Sequence, residues 1–302
     1  MHVFFRWLSA KRVVSRLASC RITASAVLAM VLMVSPASLA SAQQCVGMAS
    51  APSERLLTPA RFTADTPVPS VSTSKRRITL AQQKQGAVRF TFVGHATFLI
   101  ESPAGVSVVT DYNDYIRPEV VPDIATMNIA HDSHHSRTPD PRIKHLLPGW
   151  NPTGRGPIEH DLKYVDVHVR NIPTNIRNWS GGTREFGNSI FVFEIGGLCI
   201  AHLGHLHHTL TVQQLGMIGQ MDILLVPVDG GYTLDLDGMA EVLKALKAKV
   251  MIPMHMFSAY GLERFLSRVR QEFEVVENAT ATISFTRATL PANPQVIVLP
   301  GR

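Results

Sequence analysis

The chain has 302 residues, 45% of them apolar, with a formal charge of +6 and three cysteines. That length and apolar content can bury the core of one large two-layer domain. Five positive charges, Arg6, Lys11, Arg12, Arg16 and Arg21, fall in the first 21 residues, and subtracting them from +6 leaves only +1. The pI of 9.4 is therefore mostly a property of that leader and gives no argument for a nucleic-acid partner.

The basic leader is followed by an apolar run, ASAVLAMVLMV (24–34), and by ASLASA (37–42), with Ala40-Ser41-Ala42 as a cleavage signal before Gln43. This is the layout of a secretory signal peptide, so a periplasmic or secreted protein is expected. The run is shorter than the roughly 20 residues of a spanning helix. An uncleaved anchor is the less favoured reading, and no stable membrane span is expected after cleavage near Ala42. The expected organisation is a signal peptide (1–42), an extended Ser/Thr/Pro-rich lead-in (43–86) and one domain (87–302). Cys20 departs with the leader. Cys45 and Cys199 then form either one disulfide or two free thiols, and two cysteines cannot build a four-thiolate zinc site.

Short strands are expected at 88–93, 97–102 and 106–110, broken at Gly94-His95 and Pro103-Ala104-Gly105, with another at 125–130. The Pro- and Gly-rich segment 136–162 reads as a long surface loop. Strands follow at 163–172, 188–196 and 198–204, then a short helix over 211–219 with Thr211 as its N-cap. The nearly all-apolar stretch 222–228 reads as a strand covered on both faces. In 235–249, Met239, Val242, Leu243 and Leu246 stand at i, i+3, i+4 and i+7, the pattern of a one-faced helix. A strand at 250–255, a helix at 261–273 and terminal strands at 281–286 and 295–299 complete the pattern. The order suggests an α+β fold of two packed sheets with helices outside.

Position then singles out candidates. Asp111, the cluster AHDSHHS (130–136), His205 and His255 each follow a predicted strand end, where rigid sheets hold functional loops. The stretches FVGHATFLIE, VVTDY, NIAHDSHHS, GLCIAHLGH, DILLVPVDGG and VMIPMH, in this order over about 87–260, resemble the metallo-β-lactamase superfamily. The resemblance is nearest to the branch of L-ascorbate-6-phosphate lactonase and N-acyl-phosphatidylethanolamine phospholipase D. It implies a four-layer αββα sandwich with a one- or two-metal site at one sheet edge.

The metal motif departs from the family's His-x-His-x-Asp-His. Anchored on His131, the stretch places Ser133 at the second histidine, His135 at the Asp and Ser136 at the last histidine. Anchored at the far end it matches Asp132, His134 and His135, and both registers stand. The family's third histidine falls at Asn175-Ile176, where no histidine stands. His205 takes the place of the bridging Asp, and His255 matches the last ligand.

The expected metal ligands are therefore His131, His134, His135, His205 and His255. Zn²⁺ suits such a set best, one ion rather than two, with Mn, Fe or Ni as alternatives. Asp132 or Asp111 would orient a metal-activated hydroxide or a ligating imidazole. His95, His208 and Asp229 are expected as supporting or rim residues, and His202 as structural. Arg177, Trp179 and Arg184 are candidates for binding a small-molecule substrate. The expected activity is metal-dependent hydrolysis of an ester, lactone, phosphodiester or β-lactam. The alternative is a non-catalytic metal-binding protein on the same fold.

Overall fold

A computed structural model of the chain describes Cys45 and residues 86–178 and 180–301. The leader, most of the lead-in and Trp179 lie outside the described residues. Two sheets form the body. The six-stranded one runs in the order β13 (Thr282–Phe285), β1 (Val88–Gly94), β2 (Thr97–Glu101), β3 (Ser107–Val109), β4 (Ile124–Met127), β5 (His145–Pro148). The eight-stranded sheet runs β12 (Glu274–Glu277), β14 (Gln295–Val298), β11 (Val250–Met254), β10 (Ile223–Pro227), β9 (Leu198–His202), β8 (Thr183–Ile195), β7 (Val167–Arg177), β6 (Asp161–Tyr164).

Period-two alternation explains the layering. In β10, Ile223 and Leu225 join Phe90, Phe98 and Ile100 in the core between the sheets. Leu224 and Val226 point the other way, into a second core with Met239, Val242, Leu243, Phe265 and Leu266. Those residues come from α2 (Leu236–Leu246) and α3 (Ala259–Val269), which with α1 (Val212–Ile218) cover the outer face. Each fully buried side chain of this kind contributes about 1.5–3 kcal/mol. The outer face of the six-stranded sheet is covered by Tyr112, Ile143 and Trp150. No helix among the described residues is long and apolar enough to cross a membrane.

Helix starts follow local chemistry. Thr211 and Gln214 form a reciprocal capping box at α1. Asp235 and Ser258 accept from Gly238 N and Gly261 N at the starts of α2 and α3. Cys45 and Cys199 are joined by a disulfide, with Cα atoms 5.6 Å apart.

Three segments differ from the sequence expectation. The loop expected over 136–162 contains β5, which pairs parallel with β4 as a sheet edge. Its four residues, closed by Pro148, are too few to show a period. The single strand expected at 163–172 is split between β6 and β7 by a tight turn at Val165-Asp166, with Tyr164 opposite Val167. Val165 sits at φ +54°, a conformation its β-branched side chain does not advertise. The edge strand β12, EVVE, lies just past the helix that the sequence suggested up to 273; that helix, α3, ends at Val269.

The fold's consequence for function lies in strand direction. β3 and β4 run parallel, as do β9, β10 and β11, and β1 shares the direction of β3 through two antiparallel pairings. Their C-terminal ends release His95, Asp111, His131, His205, Asp229 and His255.

Candidate metal centre

Five imidazoles meet at the C-terminal strand edge. One ring nitrogen from each of His95, His131, His134 and His255 lies within 4.8 Å of the others. His205 completes the group, its ring centroid 4.8 Å from His131, 5.0 Å from His134 and 5.1 Å from His255. Three contributing residues carry positive φ without being glycine: His95 at +52°, Asp111 at +42° and His255 at +56°. Such backbone costs about 1–3 kcal/mol per residue and collects at functional sites.

Buried carboxylates back two of the rings. His134 Nδ1 is 2.5 Å from Asp111 Oδ2, and Asp111 Oδ1 accepts from Asn128 Nδ2 at 2.9 Å. His255 Nδ1 is 2.9 Å from Asp229 Oδ1. Asp229 Oδ2 also accepts from the backbone N–H groups of Gly231 (2.9 Å) and Tyr232 (2.5 Å). The far nitrogens, His134 Nε2 and His255 Nε2, face each other at 3.1 Å. A ring whose Nδ1–H is given to a carboxylate keeps a lone pair at Nε2 for a cation.

The electrostatics agree with that layout. Burial pushes Asp111 well above the usual carboxylate range and His134 well below the usual imidazole range. For Asp229, burial acts upward but is outweighed by His255 and the hydrogen-bond donors, so its carboxyl is held well below the ordinary value. Burial favours the uncharged forms of Asp111 and His134, and the facing Nε2 atoms of His134 and His255 share a hydrogen at 3.1 Å. A cation that takes both Nε2 lone pairs must displace that proton.

The remaining rings are neutral as well. Burial, followed by the neighbouring His255 and His131, lowers His95 to about 3 and His205 to about 2. Burial and His255 lower His131 to about 4. Ser133 Oγ lies 2.7 Å from His131 Nδ1 and 2.9 Å from His95 Nε2, so its one hydrogen couples the tautomers of the two rings. Both ring nitrogens of His205 are buried with no hydrogen-bond partner. Buried polar atoms normally find partners. Five clustered imidazoles, two with carboxylates behind them and one with both nitrogens free, fit a divalent cation of the Zn²⁺ class.

The scaffold behind the rings explains their placement. Asn188 Oδ1 accepts from His205 N at 2.7 Å, and Asn128 Oδ1 accepts from Ser189 N at 2.7 Å. Gly204, at φ +61°, lies where a Cβ would come within 2.4 Å of Asn188 Oδ1 and 2.6 Å of Asn128 Nδ2. Only glycine lets the His205 turn sit on this asparagine pair. The sequence reading did not single out Asn128, Asn188 or Ser133. The available signal was two asparagines inside or beside strongly apolar strands.

Of the residues proposed from sequence, the structure brings together His131, His134, His205 and His255, with Asp111, Asp229 and His95 around them. It does not bring in His135, whose ring packs edge-on against Trp150 at 5.7 Å. Asp132 is on the surface, bonded to Arg137 at 3.0 Å, because the turn after His131 points it outward. His208 Nε2 accepts from Asn175 N at 3.2 Å, away from the cluster. Arg177 Nη1 donates to Gly231 O at 3.3 Å, beside the Asp229 loop. Arg184 is exposed on β8 opposite Ile176, and Trp179 is outside the described residues. His202 is buried in β9 with Nε2 3.0 Å from Ala96 O.

Comparison with known proteins matches this picture. Residues 89–255 match the family model of the beta-lactamase superfamily domain. A UPF0173 metal-dependent hydrolase from Carboxydothermus hydrogenoformans is 35% identical over 196 residues, covering 56% of this chain and 84% of that protein. A UPF0173 metal-dependent hydrolase from Thermoplasma acidophilum is 34% identical over 105 residues, 34% of this chain and 45% of the relative, so this chain spans less than half of that protein. Among solved structures, a Thermotoga maritima protein assigned to the Zn-dependent hydrolases of the metallo-beta-lactamase superfamily is 29% identical with a TM-score of 0.53. That likeness covers 71% of this chain and 100% of the other. With more than half its length matched by that family model, and two packed sheets carrying an imidazole cluster at one edge, the chain belongs to the beta-lactamase superfamily.

Proposed function

We propose that this chain is an exported, single-zinc hydrolase acting on an ester-type bond of a small molecule: an ester, lactone, phosphodiester or β-lactam. The observation that carries the reading is the pair His134–Asp111 and His255–Asp229, with both Nε2 atoms turned to one point among three further neutral imidazoles. The relatives' names as metal-dependent hydrolases support it. Export is supported by the leader and by the Cys45–Cys199 disulfide, since such bonds persist in oxidising compartments.

In this reading His134 and His255 hold the ion, with His131, His205 and His95 completing its surroundings. When bound, the ion supplies Lewis-acid chemistry, polarising the electrophilic centre and acidifying water. The protein's own groups do the rest. Asp111 and Asp229 stand behind Nδ1 of His134 and His255, leaving each ring's Nε2 turned to the ion. The Ser133 hydroxyl, between His131 and His95, couples the orientation and tautomer of one ring to the other. The ligand set is neutral except for the backing carboxylates, which leaves the ion's charge largely uncancelled and favours developing negative charge on substrate.

Metal analysis of the purified protein, joined to turnover of an aryl ester, a γ-lactone, a phosphodiester and a chromogenic β-lactam, tests the reading. Stoichiometric zinc with hydrolysis of one class is expected. Bound zinc with no turnover on any of them would instead favour a non-catalytic metal-binding protein.

A further inference from the structure

Exposed aromatic side chains follow the residues of the metal centre in sequence. Tyr115, Tyr232, Phe257 and Tyr260 are between 62% and 77% exposed, and they are the exposed Phe and Tyr residues among the described residues. Tyr115, Tyr232 and Phe257 sit on loops that also supply a residue of the metal centre, and Tyr260 is in the first turn of α3, just after the third of these loops. Tyr115 follows Asp111, Tyr232 follows Asp229, and Phe257 and Tyr260 follow His255. Exposed Val120 shares the Tyr115 loop, whereas Val165 and Val212 are elsewhere on the chain.

The aromatic group is continuous with the imidazoles. The Phe257 ring centroid lies 5.2 Å from His255 and 5.6 Å from His95, and Tyr232 meets Phe257 edge-on at 5.6 Å. The loops that carry these rings are tied down. Asp229 Oδ2 accepts from Tyr232 N, Asn113 Oδ1 accepts from Tyr115 N at 2.9 Å, and Ser258 caps the helix that begins beside Tyr260. Aromatic surface left in water is unfavourable, and when it borders a reactive centre it marks a recognition surface.

We propose that this rim, centred on Phe257 and Tyr232, binds an aryl or long-acyl group attached to the scissile bond and so selects apolar substrates over small polar ones. The proposal rests on the hydrolase reading and names its substrate class. Two rings packed edge-on beside the cluster, their planes 71° apart, offer a face and an edge to an apolar group, and neither is needed to hold the core. The reacting bond lies at the imidazoles while its apolar arm lies over Phe257.

Calorimetric titration of the zinc-loaded protein with benzylphosphonate and methylphosphonate tests this without requiring turnover, since the two share a headgroup and differ in the aryl arm. Benzylphosphonate is expected to bind about tenfold more tightly. Phe257→Ala should reduce that ratio towards one with methylphosphonate affinity unchanged, and Phe257→Trp should preserve it. Equal affinities in the native protein, or a ratio that survives Phe257→Ala combined with Tyr232→Ala, would overturn the proposal. Co-sedimentation with phosphatidylcholine vesicles that Phe257→Ala abolishes while the ratio persists would also overturn it, assigning the rim to a membrane surface. A benzyl preference with no hydrolysis of any ester-type compound would sink the hydrolase reading and still support the rim.

Discussion

The two ends of the same parallel strands, β9, β10 and β11, differ in how their polar groups are used. At the N-terminal end, Asp222 accepts from Cys199 N and from Arg287, both at 2.8 Å, and Cys199 is tied to Cys45. At the C-terminal end, His205 has two unpartnered nitrogens, His255 has a left-handed backbone, and two Nε2 atoms confront each other. Satisfied polar groups serve architecture. Unsatisfied, strained ones backed by carboxylates mark where a ligand completes the structure.

Substitutions at each end should break that contrast differently. His255→Ala should abolish zinc binding and lower kcat/KM by more than about a hundredfold, beyond the loss typical of residues behind a ligand. Elemental analysis and steady-state kinetics read both. At the opposite end, replacing Cys45 and Cys199 together by serine opens a link spanning 154 residues and should cost about 2–5 kcal/mol of stability. Denaturant unfolding measures that cost, and zinc content and kcat/KM should stay unchanged. Loss of metal in this double variant would show that the two ends are not separate.

Asp229→Asn sharpens the comparison within the site. Metal affinity should fall about 10–100-fold while the fold persists, because the carboxylate orients His255 from behind. Competition with a chelator of known affinity gives the number. Zinc titration in buffers of different ionisation enthalpy should also show proton release, because the facing Nε2 atoms of His134 and His255 share a hydrogen that a cation displaces.

The smallest effect concerns pH. Burial lowers His202 to about 4 from 6.5. Above 6.5 the ring is neutral folded or unfolded. Below 6.5 the unfolded chain takes up a proton that the folded chain refuses, so stability falls until about pH 4, by roughly 1 kcal/mol per pH unit. The metal-free protein should therefore lose melting temperature on acidification from pH 7 to 5, with His202→Gln reducing the slope. A slope unchanged in that variant would contradict the assignment.

The sandwich was legible because alternation and all-apolar runs such as ILLVP (223–227) declare their burial directly. Edge strands were not: HLLP and EVVE are short and half-exposed, and the turn at Val165-Asp166 carries no glycine or asparagine. At the site, strand-end position was enough to nominate His205 and His255. Sequence spacing alone could not say which of His131, His134 and His135 point inward, because the turn after β4 is irregular. There the structure puts Ser133 between His131 and His95 and turns His135 to Trp150. Asn128 and Asn188 act through the backbone of other segments, and such long-range contacts leave no mark at any sequence spacing.

The central claim is that one ion is held where His134 and His255 face each other. The most direct measurement is anomalous X-ray scattering at the zinc edge from crystals of the zinc-loaded protein. A single peak bonded to Nε2 of both His134 and His255 is the expected result. A peak centred on His135 and Asp132, or none at the cluster, would contradict it.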